Sequence, residues 1–116
     1  LRDAPLGRLD GVLERRVRHV VTENARVEAA AEALDAGDLE TLARLLDESH
    51  ASLRDDYEAS VPEVEATVAR LKAAGAAGAR MVGGGFGGSV LALLAPGVPR
   101  PAGALAVAPH APARLL

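Results

Sequence analysis

The chain has 116 residues, enough for one modest domain or for a piece of a larger one. Apolar residues make up 49% of it, but one Phe, one Tyr and no Trp leave the core dependent on Leu and Val. The absence of cysteine excludes disulfides, thiolate zinc sites and cysteine nucleophiles, and suits a cytoplasmic protein. A net charge of −3 and the lack of a long apolar run favour neither nucleic acid nor a membrane as partner.

Charge is distributed unevenly along the chain. Residues 1–65 hold all 16 acidic residues and 8 of the 13 basic ones, which leaves that part at −8. Residues 66–116 hold the other five basic residues and no acid. A positive half is suited to an anionic ligand, although five scattered cations without a patch are an equally good interpretation.

Apolar periodicity predicts a long first helix that ends near Gly37. Its predicted buried face consists of Leu13, Val17, Val20, Asn24, Val27, Ala31 and Leu34. Asn24 on this face indicates a buried hydrogen bond that fixes helix pairing, with a ligand contact as the alternative. The second helix is expected to start at Asp38 as N-cap and to bury Leu39, Leu42, Leu46, Ser49 and Leu53.

The remaining elements follow from local signals. Ser60-Val61-Pro62-Glu63 predicts a third helix that opens with a capping box from Ser60 to Glu63 and ends at Gly75. Its apolar stripe is Val61, Val64, Val68 and Leu71. Two adjacent strands are expected at 79–82 and 89–94, then a loop over 96–103 and a weak final strand over 104–107.

Between the two strands lies the most unusual segment of the chain. It consists of Gly83, Gly84, Gly85, Phe86, Gly87 and Gly88. Glycine backbone can approach a ligand closely, and its N–H groups can form a concavity for phosphate oxygens. The alternative is a flexible linker or a tight hairpin. Phe86 argues against a linker, because a single aromatic residue in the loop is expected to anchor it in a core.

Two common phosphate-binding motifs do not account for this loop. Gly83, Gly85 and Gly88 satisfy the dinucleotide pattern, but no acidic residue follows Glu65 to bind a ribose. A Walker A motif is absent because no Gly-Lys-Ser/Thr occurs.

A polar segment from Ser49 to Tyr57 presents nucleophile-like and metal-like residues. Ser49 and His50 are adjacent on a helix and point in different directions, so they cannot pair as nucleophile and base. Asp55 and Asp56 are too few oxygens for a hard cation. The favoured interpretation is a helix end that makes structural hydrogen bonds. His19, His50 and His110 lack metal-ligand spacing and are expected to be structural or solvated.

Several segments, in order, resemble the galactokinases, a branch of the GHMP kinase family. The similar runs are 15–24, Gly37-Asp38, Ser49–Glu58, 60–65 and 78–88. The likeness is strong over about residues 8–95 and weak at the end. The run Ser49–Glu58 argues against another GHMP sugar kinase, whereas the glycine loop by itself indicates only the wider family.

The resemblance implies a fold and an activity. It implies one α+β domain over 1–116, with helices on a small, mainly antiparallel, ferredoxin-like sheet: a helical hairpin over 1–58, then a helix and strands over 59–116. The family transfers the γ-phosphoryl group of ATP to galactose with Mg²⁺. Residues 83–88 would be the cofactor-binding residues of this chain, lying by the active site and supporting the nucleotide-binding region. The resemblance implies no catalytic residue and no metal ligand in this chain. By itself the chain would bind no cofactor.

The resemblance also shows what this sequence lacks. The family's galactose-binding motif, Ser-rich phosphate loop and catalytic Asp and Arg belong to an N-terminal domain and do not occur here. The resemblance also implies that one family helix is missing, because residues 96–103 replace it with a short loop. Its loss is expected to expose an apolar sheet face. Two hypotheses stay open: part of a galactokinase that needs its N-terminal domain as partner, or a non-catalytic binding or regulatory module.

Overall fold

The computed structural model describes residues 11–82 and 89–107. Three helices precede a two-stranded antiparallel sheet. Their bounds are α1 Gly11–Ala36, α2 Leu39–Asp55, α3 Pro62–Ala73, β1 Ala76–Met81 and β2 Val90–Leu94. Helices α2 and α3 pack on β1, and α1 packs on α2. The predicted α+β class, with helices layered on a small antiparallel sheet, is therefore confirmed.

The turn between α1 and α2 forms as its sequence predicts. Gly37 has a φ of +68°, the left-handed conformation that ends a helix at low cost. The Gly37 N–H donates to the Leu34 carbonyl and the Asp38 N–H donates to the Ala33 carbonyl, which completes a Schellman motif. The Asp38 carboxylate then accepts from the Thr41 N–H at 3.1 Å, so one residue ends α1 and caps α2.

The predicted buried face of α1 is only partly correct. Val17 and Ala33 are buried, but Val27 and Leu34 are 64% and 60% exposed. Asn24 is also exposed, so its predicted buried hydrogen bond is wrong. Helix α1 packs on α2, and the described residues leave the Val27 and Leu34 part of its apolar stripe uncovered.

Helix α2 occupies the centre of the fold between α1 and β1. Its buried residues are Ala43, Leu45, Ser49, His50, Ser52 and Leu53. Ser49 and Leu53 are buried as predicted, whereas Leu39 is 42% exposed. The buried face is wider and more polar than the periodicity predicted because α2 has neighbours on two sides.

The capping box predicted for α3 does not form. The N-cap is Val61, with no side-chain capping hydrogen bond, and the Ser60 hydroxyl donates to the Glu65 carboxylate instead. Pro62 requires an extended residue before it, and Val61 has φ −126° and ψ 162°. Val61 therefore becomes the N-cap, and Pro62 the first helical residue, one position later than expected.

The apolar stripe of α3 is confirmed and helps to build the core. Val64 is buried beside Leu53, Ala59 and Met81, with Val61, Val68 and Val90 packed around them. Leu71 is also buried. These contacts hold α3 against the sheet.

The two predicted strands pair with each other, as expected. Strand β1 begins three residues earlier than predicted, at Ala76, and its register with β2 shifts between Ala76 and Gly78. The predicted final strand over 104–107 is wrong: these residues are not in a strand and pair with none in the described part of the chain, and Leu105 and Val107 are 88% and 76% exposed. Between Leu94 and Val107 the described chain contains no helix, as predicted for that loop.

Gly78 marks a close approach between α2 and the sheet. A Cβ built on Gly78 would lie 2.3 Å from the Ala43 carbonyl oxygen and 2.8 Å from the Ala43 Cα. Both atoms are backbone and cannot rotate away. The small residues on both sides therefore set the distance between α2 and β1.

In the part of the chain that the structure describes, no helix combines the length and the apolar character needed to cross a membrane.

Replacing Gly78 with Ala should destabilise the chain by about 1–3 kcal/mol, since the added methyl must push α2 from β1. Urea unfolding followed by far-UV circular dichroism measures this loss. Gly11→Ala is the matched control, because the nearest atom to its Cβ would be 4.0 Å away on the Arg15 side chain. Equal stability of the two variants would contradict the close approach.

Candidate functional site: the stem of the glycine-rich loop

The six predicted cofactor-binding residues, 83–88, lie outside the described residues, and the structure instead defines where their segment starts and ends. The Val82 N–H donates to the Ser89 carbonyl at 3.0 Å, and Met81 lies opposite Val90 in the antiparallel register. We call these four residues the loop stem. The six loop residues therefore join two strands whose ends are hydrogen-bonded to each other.

The outer edge of β1, away from β2, is closed by side chains. Since Val82 bonds across to β2, the alternation of an antiparallel pair directs the backbone groups of Ala77, Ala79 and Met81 outward. Each of these three residues has a side-chain partner there. The contacts are Lys72 Nζ to the Ala77 carbonyl at 3.2 Å, the Ala79 N–H to Asp47 Oδ1 at 3.0 Å, the Met81 N–H to His50 Nδ1 at 3.2 Å, and Arg80 Nε to the Met81 carbonyl at 2.9 Å.

Two of these partners come from one face of α2. Asp47 and His50 are three residues apart, so both point toward β1. Asp47 also forms an ion pair with Lys72 through its second carboxylate oxygen, Oδ2. Sequence reasoning did not identify Asp47. The signal that could have found it is its spacing, four residues after Ala43 and three before His50, which places all three on one face of α2. A polar residue on a helix face that packs on a strand indicates a backbone contact.

Ser49 is directed to the opposite neighbour, α1. Its hydroxyl donates to Glu23 Oε2 at 2.6 Å, so Ser49 and His50 are not a nucleophile and base, as expected. Glu23 also accepts from Arg26 Nε at 2.7 Å and lies 3.5 Å from Arg80. Burial raises the pKa of Glu23, but the hydrogen bonds from Ser49 and Arg26 outweigh it and leave the pKa below its usual value.

His19 is a structural histidine, as predicted. Its Nδ1 lies 2.8 Å from the Ser52 hydroxyl, and its ring centroid lies 5.1 Å from that of Tyr57. Burial lowers the pKa of His19, because the charged ring would lose its hydration. His110 lies outside the described residues.

The aspartates at the end of α2 pair with arginines. Asp55 accepts from Arg54 Nε at 2.9 Å, and Asp56 accepts from Arg18 at 3.0 Å. Within 11–82 and 89–107, no three acidic or histidine side chains are grouped to hold a metal ion. The arginine pairs of Asp55 and Asp56 agree with the interpretation of this segment as structural.

Comparison with known proteins identifies the family. Residues 30–108 match the family model described as GHMP kinases C terminal, more than half of the chain. The chain belongs to the GHMP kinase family, and what it contains is the C-terminal domain. The predicted family is confirmed.

Within that family the chain is similar to a galactokinase. It is 48% identical to the galactokinase of Lactococcus lactis, whose crystal structure contains galactose, with a TM-score of 0.68. The match covers 73% of this chain and 22% of the galactokinase. This chain therefore corresponds to about a fifth of that enzyme's length.

We expect His19 to make stability depend on pH just below neutrality. Its folded pKa is below the ordinary value of 6.5, so the folded state keeps the ring neutral where the unfolded chain takes up a proton. The stabilisation is complete above pH 6.5 and is lost as pH falls from there through the folded pKa. Urea unfolding at half-unit steps between pH 7.5 and 5.5 measures the slope.

His19→Gln should flatten this slope, since glutamine does not titrate but can still bond to Ser52. An unchanged slope in the variant would show that another group is responsible.

Proposed function

We propose that this chain is the C-terminal part of a galactokinase, which transfers the γ-phosphoryl group of ATP to galactose and yields galactose 1-phosphate. The observation that carries the proposal is the 48% identity to a galactokinase together with a TM-score of 0.68. The substrate and the cofactors ATP and Mg²⁺ come from that likeness and from the family.

The contribution of this chain to the reaction is positional. Phosphoryl transfer depends on alignment and on electrostatic stabilisation of the transferred group, and needs no reactive side chain from every segment. Residues 83–88 would lie beside the bound nucleotide, where glycine allows the backbone N–H groups to come close to phosphate oxygens. The hydrogen bond between Val82 and Ser89, the residues on either side of this segment, supports the proposal.

The groups that bind galactose and metal would come from an N-terminal domain. One observation supports a further domain. The apolar positions Val27 and Leu34 are more than half exposed on α1, a face suited to another part of a larger protein.

A second candidate is a non-catalytic module with a galactokinase-like fold. It is favoured by residues 95–107, which contain no helix where the family is expected to have one. A domain that lacks this helix could still serve binding or regulation, because neither role requires phosphoryl transfer.

Mixing the chain with a separately produced galactokinase N-terminal domain should generate ATP-dependent phosphorylation of galactose that neither part shows alone. Coupled ADP release measures the rate. Activity of the isolated chain would contradict the proposal that the catalytic groups belong to the other domain. No activity in the mixture, with both parts folded and bound to each other, would favour the non-catalytic module.

In the active mixture, Gly85→Val should lower kcat at least about tenfold, because a branched side chain keeps the loop backbone from the nucleotide. Gly97→Asn is the matched control: it replaces a glycine in another loop, where a Cβ meets nothing within 4 Å and asparagine tolerates the positive φ of +89°. Equal losses in both variants would argue against the role of residues 83–88.

A further inference from the structure

His50 of α2 forms hydrogen bonds to both the loop stem and α3. Its side chain is 5% exposed. Nδ1 lies 3.2 Å from the Met81 backbone nitrogen, and Nε2 lies 2.7 Å from Glu65 Oε2. Both ring nitrogens are therefore engaged, with chemically different partners.

These partners determine the protonation of the ring. A backbone N–H can only donate, so Nδ1 must accept from Met81 and carry no proton. The proton of the neutral ring is then on Nε2, which donates to the Glu65 carboxylate. A proton on Nδ1 would face the Met81 N–H and break that hydrogen bond.

Glu65 is itself held in place. Its Oε2 accepts from the Ser60 hydroxyl and its Oε1 lies 3.5 Å from Arg54. Burial raises the pKa of Glu65, but hydrogen bonds from Ser60 and His50 outweigh it, so the pKa is lowered and the carboxylate is charged at neutral pH. The ring of His50 thus has a fixed acceptor on one side and a fixed donor on the other.

Met81 is the residue where this arrangement affects the loop. It ends β1, two positions before Gly83, and its N–H faces away from β2, where a third strand would otherwise pair with it. His50 occupies that position. The end of the strand that enters the glycine-rich loop is therefore held by β2 on one edge and by His50 on the other.

We propose that His50, as the Nε2-protonated tautomer oriented by Glu65, is a positioning residue that holds the Met81 end of β1 and so sets the start of the glycine-rich loop. It contacts neither substrate nor nucleotide in this proposal. The consequence for phosphoryl transfer rests on the proposed function; the tautomer and the anchoring of Met81 do not.

The first experiment uses the whole chain alone. Long-range ¹H–¹⁵N NMR of the imidazole groups should show His50 with a protonated Nε2 and an unprotonated Nδ1. A protonated Nδ1 would overturn the proposal, whether or not the chain is part of a kinase. This measurement needs no variant and is independent of folding defects.

Two substitutions then separate the two contacts of the ring. His50→Asn keeps an acceptor near the position of Nδ1 but does not reach Glu65, whereas His50→Gln reaches Glu65 but leaves no acceptor for Met81. Amide hydrogen exchange at Met81 should speed up about tenfold in His50→Gln relative to His50→Asn, with Ala79 as the internal reference held by Asp47. Equal exchange at Met81 in the two variants would contradict the anchoring role.

In the mixture with a galactokinase N-terminal domain, His50→Gln should lower kcat about tenfold, while His50→Asn recovers most of it and KM for galactose stays unchanged in both. If the loss of kcat in the two variants follows their loss of stability, and not the presence of an acceptor at the position of Nδ1, then His50 is only a structural residue. If no mixture is active, the proposed function fails, and the tautomer and Met81 exchange still decide the anchoring.

Discussion

The fold depends on how the backbone of β1 is satisfied on the edge where no strand of the described residues lies beside it. An unpaired edge strand presents donors and acceptors that cost free energy when buried and invite pairing with other chains. Here α2 supplies acceptors from Asp47 and His50, spaced one helical turn apart, for two N–H groups spaced two residues apart on the strand. A helical side-chain row thus takes the place of a third strand.

This solution requires α2 to lie very close to β1. Asp47 has a short side chain, and it reaches the Ala79 N–H only because Gly78 and Ala43 let the two backbones approach. The glycine and the aspartate are therefore parts of one contact, although they are 31 positions apart in the chain. A substitution at either residue would change the other's geometry, so their effects on stability should not add.

Structural features that depend on residues within one element could be predicted from the sequence, whereas features that depend on contacts between elements could not. Gly37, Asp38 and the two adjacent strands follow from local turn and capping chemistry. The cap of α3 was predicted wrongly because Glu65 competes for Ser60, and the face of α1 because apolar periodicity does not say which partner covers it. The strand over 104–107 is predicted from composition alone, and within 11–82 and 89–107 no strand lies beside it to supply hydrogen bonds.

The candidate site combines both kinds of signal. The glycine-rich loop is evident from the sequence, but a loop without a reactive side chain can act only through its position, which the sequence alone does not show. The polar residues of the segment from Ser49 to Asp56 first suggest catalysis, but in the structure they form hydrogen bonds to neighbouring elements. His50 and, just before it, Asp47 bind the strand that leads to the loop, while Ser49 and Ser52 bind α1. The segment from Ser49 to Asp56 therefore binds α1, α3 and the strand that leads to the loop.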